Sequence, residues 1–276
     1  MNLDSLKVIY KKYKLTKVFN KLKPFAKNSI EFELWPEDEE DMPLGTSKVG
    51  GIPDLPTSFQ WPEYKGRPLM FLAQIKLEDL VVFDLDRKLP SNGMLYFFYG
   101  PEQTWGNKEE KGSWKCIYNN SPTGELFRTN HQLLCKEEDT YEAYKMFFES
   151  KISLPSLTGG YSYELSINNS INEKYEEMRE EEDYVTINKV LGYPDNIQQM
   201  AERDCELLNS NLESSLLENE DWKVLVERSK RWELLFQLDS DAGFTWGDSG
   251  RIYFFILPED LASKNFENVA LVLQCG

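Results

Sequence analysis

The densest cluster of polar side chains in this 276-residue chain is Gln237-Leu238-Asp239-Ser240-Asp241-Ala242-Gly243-Phe244-Thr245-Trp246-Gly247-Asp248-Ser249-Gly250. Three carboxylates close together on a glycine-punctuated loop could gather oxygens around Ca²⁺ or Mg²⁺. The spacing departs from the calcium-loop pattern: Gly243 stands at the third ligand position, Phe244 replaces the turn glycine, and Gly250 replaces the closing glutamate. The residues favour a structural use, in which Asp239, Asp241 and Asp248 make turn and capping hydrogen bonds while Trp246 packs in the core. No metal or cofactor is expected. Paired carboxylates also suit glycoside hydrolysis, but nothing here marks one of them as an acid of raised pKa.

Other chemistry is thinner. The chain has one histidine, His131, so a His-rich zinc site is excluded and every imidazole mechanism has a single candidate. Gly247-Asp248-Ser249-Gly250 matches the residues around some serine nucleophiles, yet none of the surrounding pattern accompanies it. Gly50-Gly51 lacks the context of a phosphate loop. Trp61-Pro62 and Trp105-Gly106 are aromatic loop ends that could stack on sugars, with core packing the simpler use. The four cysteines, Cys116, Cys135, Cys205 and Cys275, are far apart and read as buried thiols.

Which elements would position these groups? Leu6, Ile9, Tyr10, Tyr13, Val18, Leu22 and Phe25 recur at helical spacing with lysines between them. That pattern predicts a basic amphipathic segment over residues 1–28, docked on the rest of the chain. Ile30, Phe32 and Leu34 alternate with glutamates, a half-buried strand. Further strands are expected at Leu69–Ile75, Met94–Tyr99, Trp114–Tyr118, Glu125–Arg128, Tyr161–Ile167, Glu233–Leu238, Arg251–Leu257 and Val269–Gln274. Helices are expected near Leu77–Val82, Thr140–Phe148 and Ile197–Leu212, the last with Asp195 as its N-cap. The acidic run Glu173–Asp183 reads as a solvated helix face or connection.

Net charge is −16, but residues 1–28 carry eight lysines and one aspartate, +7, which leaves −23 on residues 29–276. A body so acidic repels nucleic-acid backbones and favours a cationic partner. No apolar run approaches the length of about 18 residues that spans a bilayer. Residues 1–27 lack the apolar core of an export signal, so a cytoplasmic protein with no membrane contact is expected.

The second half echoes the first in order. Gly51-Ile52-Pro53-Asp54 returns as Gly192-Tyr193-Pro194-Asp195, Phe71-Leu72-Ala73-Gln74-Ile75 as Leu234-Leu235-Phe236-Gln237-Leu238, and Gly93-Met94-Leu95-Tyr96-Phe97-Phe98 as Gly250-Arg251-Ile252-Tyr253-Phe254-Phe255. This predicts a single body, residues 29–276, built of two related halves, about 29–168 and 184–276. Gln74 and Gln237 are expected to satisfy backbone groups where the halves meet. A cleft between the halves is the expected ligand site, lined by Gln74, Gln237, Asp239, Asp241, Trp246 and Asp248.

Together, Ser47–Pro56, Trp61-Pro62, Pro68–Ile75, Leu191–Pro194, Leu235–Asp241, Trp246–Phe254 and Leu273-Gln274-Cys275 resemble the bacterial YwqG-like family of unknown function over nearly the whole chain. Many relatives carry a histidine just before the Leu-Gly-Tyr-Pro motif, where this chain has Asn188-Lys189. The resemblance implies an α+β, β-rich fold of coiled, bifurcated antiparallel sheets with peripheral helices and no established enzymatic activity. It also implies a setting beside toxin genes and a role as an immunity or interaction protein. Two functions follow as expectations: a non-enzymatic module binding a basic, toxin-like protein, or a small-ligand or divalent-metal-dependent enzyme with its site in the inter-half cleft.

Overall fold

A computed structural model describes residues 2–100, 102–131, 141–157, 161, 165–182, 188–209 and 219–276. Its strands are β1 (Lys27–Pro36), β2 (Lys48–Val49), β3 (Asp54–Pro56), β4 (Glu63–Tyr64), β5 (Arg67–Pro68), β6 (Met70–Lys76), β7 (Met94–Tyr99), β8 (Trp114–Asn119), β9 (Leu126–Arg128), β10 (Tyr144–Ser153), β11 (Asn188–Leu191), β12 (Glu233–Asp239), β13 (Arg251–Ile256) and β14 (Ala270–Gln274). The helices are α1 (Leu3–Lys12), α2 (Thr16–Leu22), α3 (Leu77–Leu80), α4 (Asn169–Glu181), α5 (Ala201–Asn209), α6 (Asn219–Ser229) and α7 (Pro258–Ala262). The fold is α+β and strand-rich, as the sequence leads one to expect.

Ten strands form one antiparallel sheet in the order β14-β13-β12-β11-β1-β10-β2-β6-β7-β8. The order is palindromic about the long β1–β10 pair. On each side a short strand (β11 or β2) leads to a long hairpin (β12–β13 or β6–β7) and then an edge strand. The hairpins match in register, with Gln74 opposite Tyr96 and Gln237 opposite Tyr253. Each carries a bulge in the same place, between Phe71 and Ala73 and between Leu234 and Phe236. The bulge turns two consecutive residues inward, Leu72-Ala73 in one half and Leu235-Phe236 in the other, and so curls the sheet.

The curled sheet is nearly closed into a barrel. Its two edges approach where Trp114 Nε1 donates to the Val269 carbonyl at 3.0 Å. The inner face holds the main core. Phe97 stacks on Phe236 with ring centroids 4.4 Å apart and meets Phe254 edge-on at 5.2 Å. Aromatic packing thus joins the halves on the inner face, and a groove between them opens elsewhere, where Arg87–Pro90 of the first half face Glu233 and Pro258–Lys264 of the second, away from the six residues expected to line it. The outer face is covered in three places: by the β3–β9 ribbon over Phe71, Tyr96 and Phe98, by α5 over Leu234, Tyr253 and Phe255, and by α1, α2 and α4 over part of the β1–β10 pair.

The basic N-terminal segment forms α1 and α2. Leu6, Tyr10, Phe19 and Leu22 are buried against Leu157, Tyr175 and Met178. Lys12 and Tyr13 reach the acidic end of α4, with Lys12 Nζ 2.5 Å from Glu182 Oε1 and Tyr13 Oη 2.8 Å from Glu181 Oε2. Four buried apolar side chains, worth about 1.5–3 kcal/mol each, outweigh exposed ion pairs. Docking is an apolar event trimmed by charge.

Several expectations need correction. Residues 144–148, read as helix, begin β10. Lys145, Phe147 and Glu149 alternate with Met146 and Phe148, and pairing with β1 and β2 overrides the local helical pattern. Tyr161 and Leu165–Ile167 are not strand, and residues 162–164 lie outside the described residues. Asp195 does not cap α5; Asn196 Oδ1 accepts the Ala201 N–H instead. Cys116 and Cys205 are buried, Cys275 is half-buried, and Cys135 lies outside the described residues.

Candidate functional site

The six residues singled out by sequence do not converge. Gln74 and Gln237 are fully buried at equivalent places on the outer face of the two hairpins, and each serves its own half rather than the junction. Gln74 Oε1 accepts from the Asp54 N–H at 2.8 Å, and Nε2 donates to Asp54 Oδ2 at 2.8 Å. Gln237 Oε1 accepts from the Asp195 N–H at 2.9 Å, and Nε2 donates to Asp195 Oδ2 at 2.8 Å. The hydroxyls opposite complete each clamp: Tyr96 donates to the Asp54 carbonyl at 2.6 Å and Tyr253 to the Asp195 carbonyl at 2.7 Å. A buried amide needs its polar groups paired, and Gln74 Nε2 also donates to the Thr46 carbonyl at 2.9 Å.

The echo reaches further than the glycine from which the sequence reading starts. Lys48-Val49-Gly50-Gly51-Ile52-Pro53-Asp54 and Lys189-Val190-Leu191-Gly192-Tyr193-Pro194-Asp195 occupy matching places, Lys48 opposite Gln74 and Lys189 opposite Gln237. Even the backbone agrees, since Gly50 (φ +69°) and Leu191 (φ +62°) share the left-handed region. Lys48 and Lys189 are both buried. Each ammonium points to the carbonyl four residues on, Lys48 to Ile52 at 2.5 Å and Lys189 to Tyr193 at 3.4 Å. Sequence reasoning passed over these lysines, and the Lys-Val-x-Gly-x-Pro-Asp repeat was the signal that could have found them.

The two stations differ in what reaches the lysine. In the first, Glu39 comes in from the acidic loop: its Oε1 accepts from Lys48 Nζ and its Oε2 from the Ile52 N–H at 2.9 Å. Arg128 seals the other side, with Nε 3.0 Å from Asp54 Oδ1. Burial pushes the Lys48 ammonium below its ordinary pKa, against the pull of Glu39 and Asp54. In the second, Lys189 Nζ lies 2.6 Å from Asp195 Oδ2. Burial acts to raise the Asp195 carboxyl, but Lys189, Arg251 and Gln237 outweigh it and hold the pKa below the usual value.

The loop carboxylates are dispersed. Asp239 is buried and pairs with Arg251; its Oδ1 caps the Ser240 N–H at 2.8 Å. Asp241 is exposed and accepts from the Ala242 N–H at 2.7 Å, and Asp248 is exposed. Trp246 is buried, donates to the Asp239 carbonyl at 3.1 Å, and stacks with Phe244. Among the described residues, no three His, Cys, Asp or Glu side chains group to hold a metal ion. His131 lies 5.6 Å from the Trp61 ring beside Phe59 in an open groove.

The outer face of the β1–β10 pair offers a surface of another kind. Beyond the part covered by α1 and α4, Trp35 is 57% exposed and Phe147 47%, with ring centroids 5.4 Å apart. Charged side chains of both signs frame the pair: Glu33 accepts from Trp35 Nε1 at 3.1 Å, Lys145 lies 3.1 Å from Glu37 with its ammonium 5.6 Å from the Phe147 ring centroid, and the exposed Glu149 lies 3.3 Å from Lys151. At the end of β10, Tyr144 has its hydroxyl pKa raised by burial and further by Glu142 and Asp241. Sequence reading placed Glu31 and Glu33 on this polar side; Trp35, at the same parity, was the overlooked signal.

No helix among the described residues is long and apolar enough to cross a membrane. No curated protein matches the chain. Residues 47–275 match the family model described as a domain of unknown function, DUF1963. That span covers both hairpins and the lysine, glutamine and aspartate of both stations, while α1, α2, β1 and Glu39 precede it. The chain belongs to the DUF1963 family.

Proposed function

We propose that the protein is a non-enzymatic binding module that captures a basic protein on the outer face of β1 and β10. The observation that carries the reading is the exposed Trp35–Phe147 pair set among Glu33, Glu37 and Glu149. Two neighbouring aromatics on a sheet give a rigid apolar anchor of low entropic cost. The surrounding carboxylates, on a body of strongly negative charge, steer a cationic partner toward it and reject acidic ones. The finer reading, drawn from the likeness to the YwqG-like family, is a cytoplasmic immunity protein whose partner is a basic toxin domain. The buried stations support a binding role by stiffening the two halves on which the face is carried.

The test is a tagged pull-down from producing cells, eluted along a salt gradient, run with wild type and with the Trp35→Ala/Phe147→Ala double variant. The reading expects a basic protein in stoichiometric amount, released by moderate salt and lost from the double variant. Retention of the same protein by both forms overturns it. A catalytic site in the loop predicts instead a saturable thermal shift with a divalent ion that disappears in Asp241→Ala.

A further inference from the structure

The first half carries a groove that neither the stations nor the β1–β10 face uses. It has a volume of about 570 Å³ and runs between the end of β3, the loop that follows it, and the segment just beyond β9. Small-molecule sites occupy about 300–1,000 Å³. On a chain of net charge −16, no Asp, Glu, Lys or Arg among the described residues lines this groove. An ionic ligand finds no counter-charge there; a neutral one meets no desolvated charge to oppose it.

The aromatic wall is set by the core behind it. Phe59 meets Tyr96 edge-on at 5.5 Å and stacks on Phe98 at 6.0 Å, and Trp61 meets Phe98 edge-on at 5.3 Å. Trp61 Nε1 donates to the Leu69 carbonyl at 2.9 Å. With that N–H spent, the indole has only its ring to offer a ligand. His131, tilted 54° to Trp61 at 5.6 Å, adds a second aromatic side. The polar lining is differently placed. Asn130 Oδ1 accepts from the His131 N–H at 2.9 Å and the Thr129 hydroxyl donates to the Phe127 carbonyl at 3.0 Å, whereas Asn130 Nδ2 and the Thr57 hydroxyl have no protein partner among the described residues. Rigid rings, an uncharged lining and unspent amide and hydroxyl groups suit a molecule whose face is C–H and whose edge is hydroxyl. We infer that this groove binds a neutral pyranose sugar, which lays an apolar face on Trp61 and hydrogen-bonds through its hydroxyls to Asn130 and Thr57. The volume admits roughly a mono- or disaccharide. Because the rings are already fixed, binding costs little side-chain entropy.

The test uses the full chain. Cellotriose, chitotriose and lactose are titrated to about 20 mM, enough to reveal a Kd as weak as about 1 mM, with thermal stability and calorimetric heat as readouts. Sorbitol, rich in hydroxyls but without a ring, controls for general osmolyte stabilisation. A saturable response to at least one of the three sugars, absent with sorbitol, is expected. Trp61→Ala is expected to abolish it and Trp61→Phe, which keeps an aromatic ring, to retain it. Asn130→Asp keeps the acceptor for the His131 N–H and removes both amide donors, and is expected to bind about tenfold more weakly at an unchanged fold. A wild-type chain that responds to none of the three sugars, or to sorbitol equally, overturns the inference. So does a response undiminished in both Trp61→Ala and Asn130→Asp.

Discussion

Glu202, at the start of α5, gives the sharpest prediction about stability. Its side chain is buried, and its Oε2 accepts no hydrogen bond. Burial pushes its carboxyl pKa from an ordinary 4.5 up to about 7, with Lys27 pulling it down and Asp204 pushing it further up. The sign follows from linkage. The unfolded chain loses this proton near pH 4.5 while the folded chain keeps it until about 7. Stability from this group is thus complete below pH 4.5 and lost as pH rises through 7. The gap between 4.5 and about 7 corresponds to about 3 kcal/mol, at about 1.36 kcal/mol for each tenfold change in proton affinity. Glu202→Gln keeps the shape and removes the titration. Urea unfolding followed by tryptophan fluorescence from pH 4.5 to 8 should show the variant gaining about 3 kcal/mol on wild type across that window. Parallel pH profiles for the two proteins would refute the reasoning.

Three further outcomes follow from the packing. Gln237→Leu leaves the Asp195 N–H and carboxylate without their amide partner and should cost roughly 2–5 kcal/mol in chemical unfolding; Gln74→Leu should do the same to the first half. Gly50→Ala should destabilise by at least about 2 kcal/mol, because Gly50 has φ +69° and a Cβ would fall 2.0 Å from the Glu142 carbonyl oxygen. Docking of α1 and α2 should survive a rise in salt from about 0.05 to about 0.5 M, since screening touches only the exposed pairs; limited proteolysis within residues 1–25 would report it, and salt-induced cleavage would count against an apolar interface.

Much of the sheet was legible in the chain. The strands that carry alternating or aromatic runs, β1, β6, β7, β8, β12, β13 and β14, announce themselves because their inward residues are large and apolar. The short β2 and β11 did not. They hold only Lys48-Val49 and Asn188–Leu191, with a buried lysine in each, and nothing local distinguishes such a strand from a turn. β10 was misread because Tyr144–Phe148 supports helical spacing as well as alternation, and only its partners decide between them. The same limit applies to the sites. Two conspicuous glutamines led to the stations, yet the lysines and aspartates that they hold became visible only through register. The carboxylates of the 239–248 loop looked like a cluster in sequence; the fold buries Asp239 against Arg251 and leaves Asp241 in solvent.

The central claim, capture of a basic protein by the β1–β10 face, is tested most directly by hydrogen exchange on the complex isolated with the wild-type chain. The account predicts slowed exchange concentrated in residues 33–37 and 142–149, together with loss of the complex when Trp35 and Phe147 are both replaced by alanine. Protection confined to another surface, such as the Phe59–Trp61 groove, with residues 33–37 exchanging as in the free protein, would contradict it.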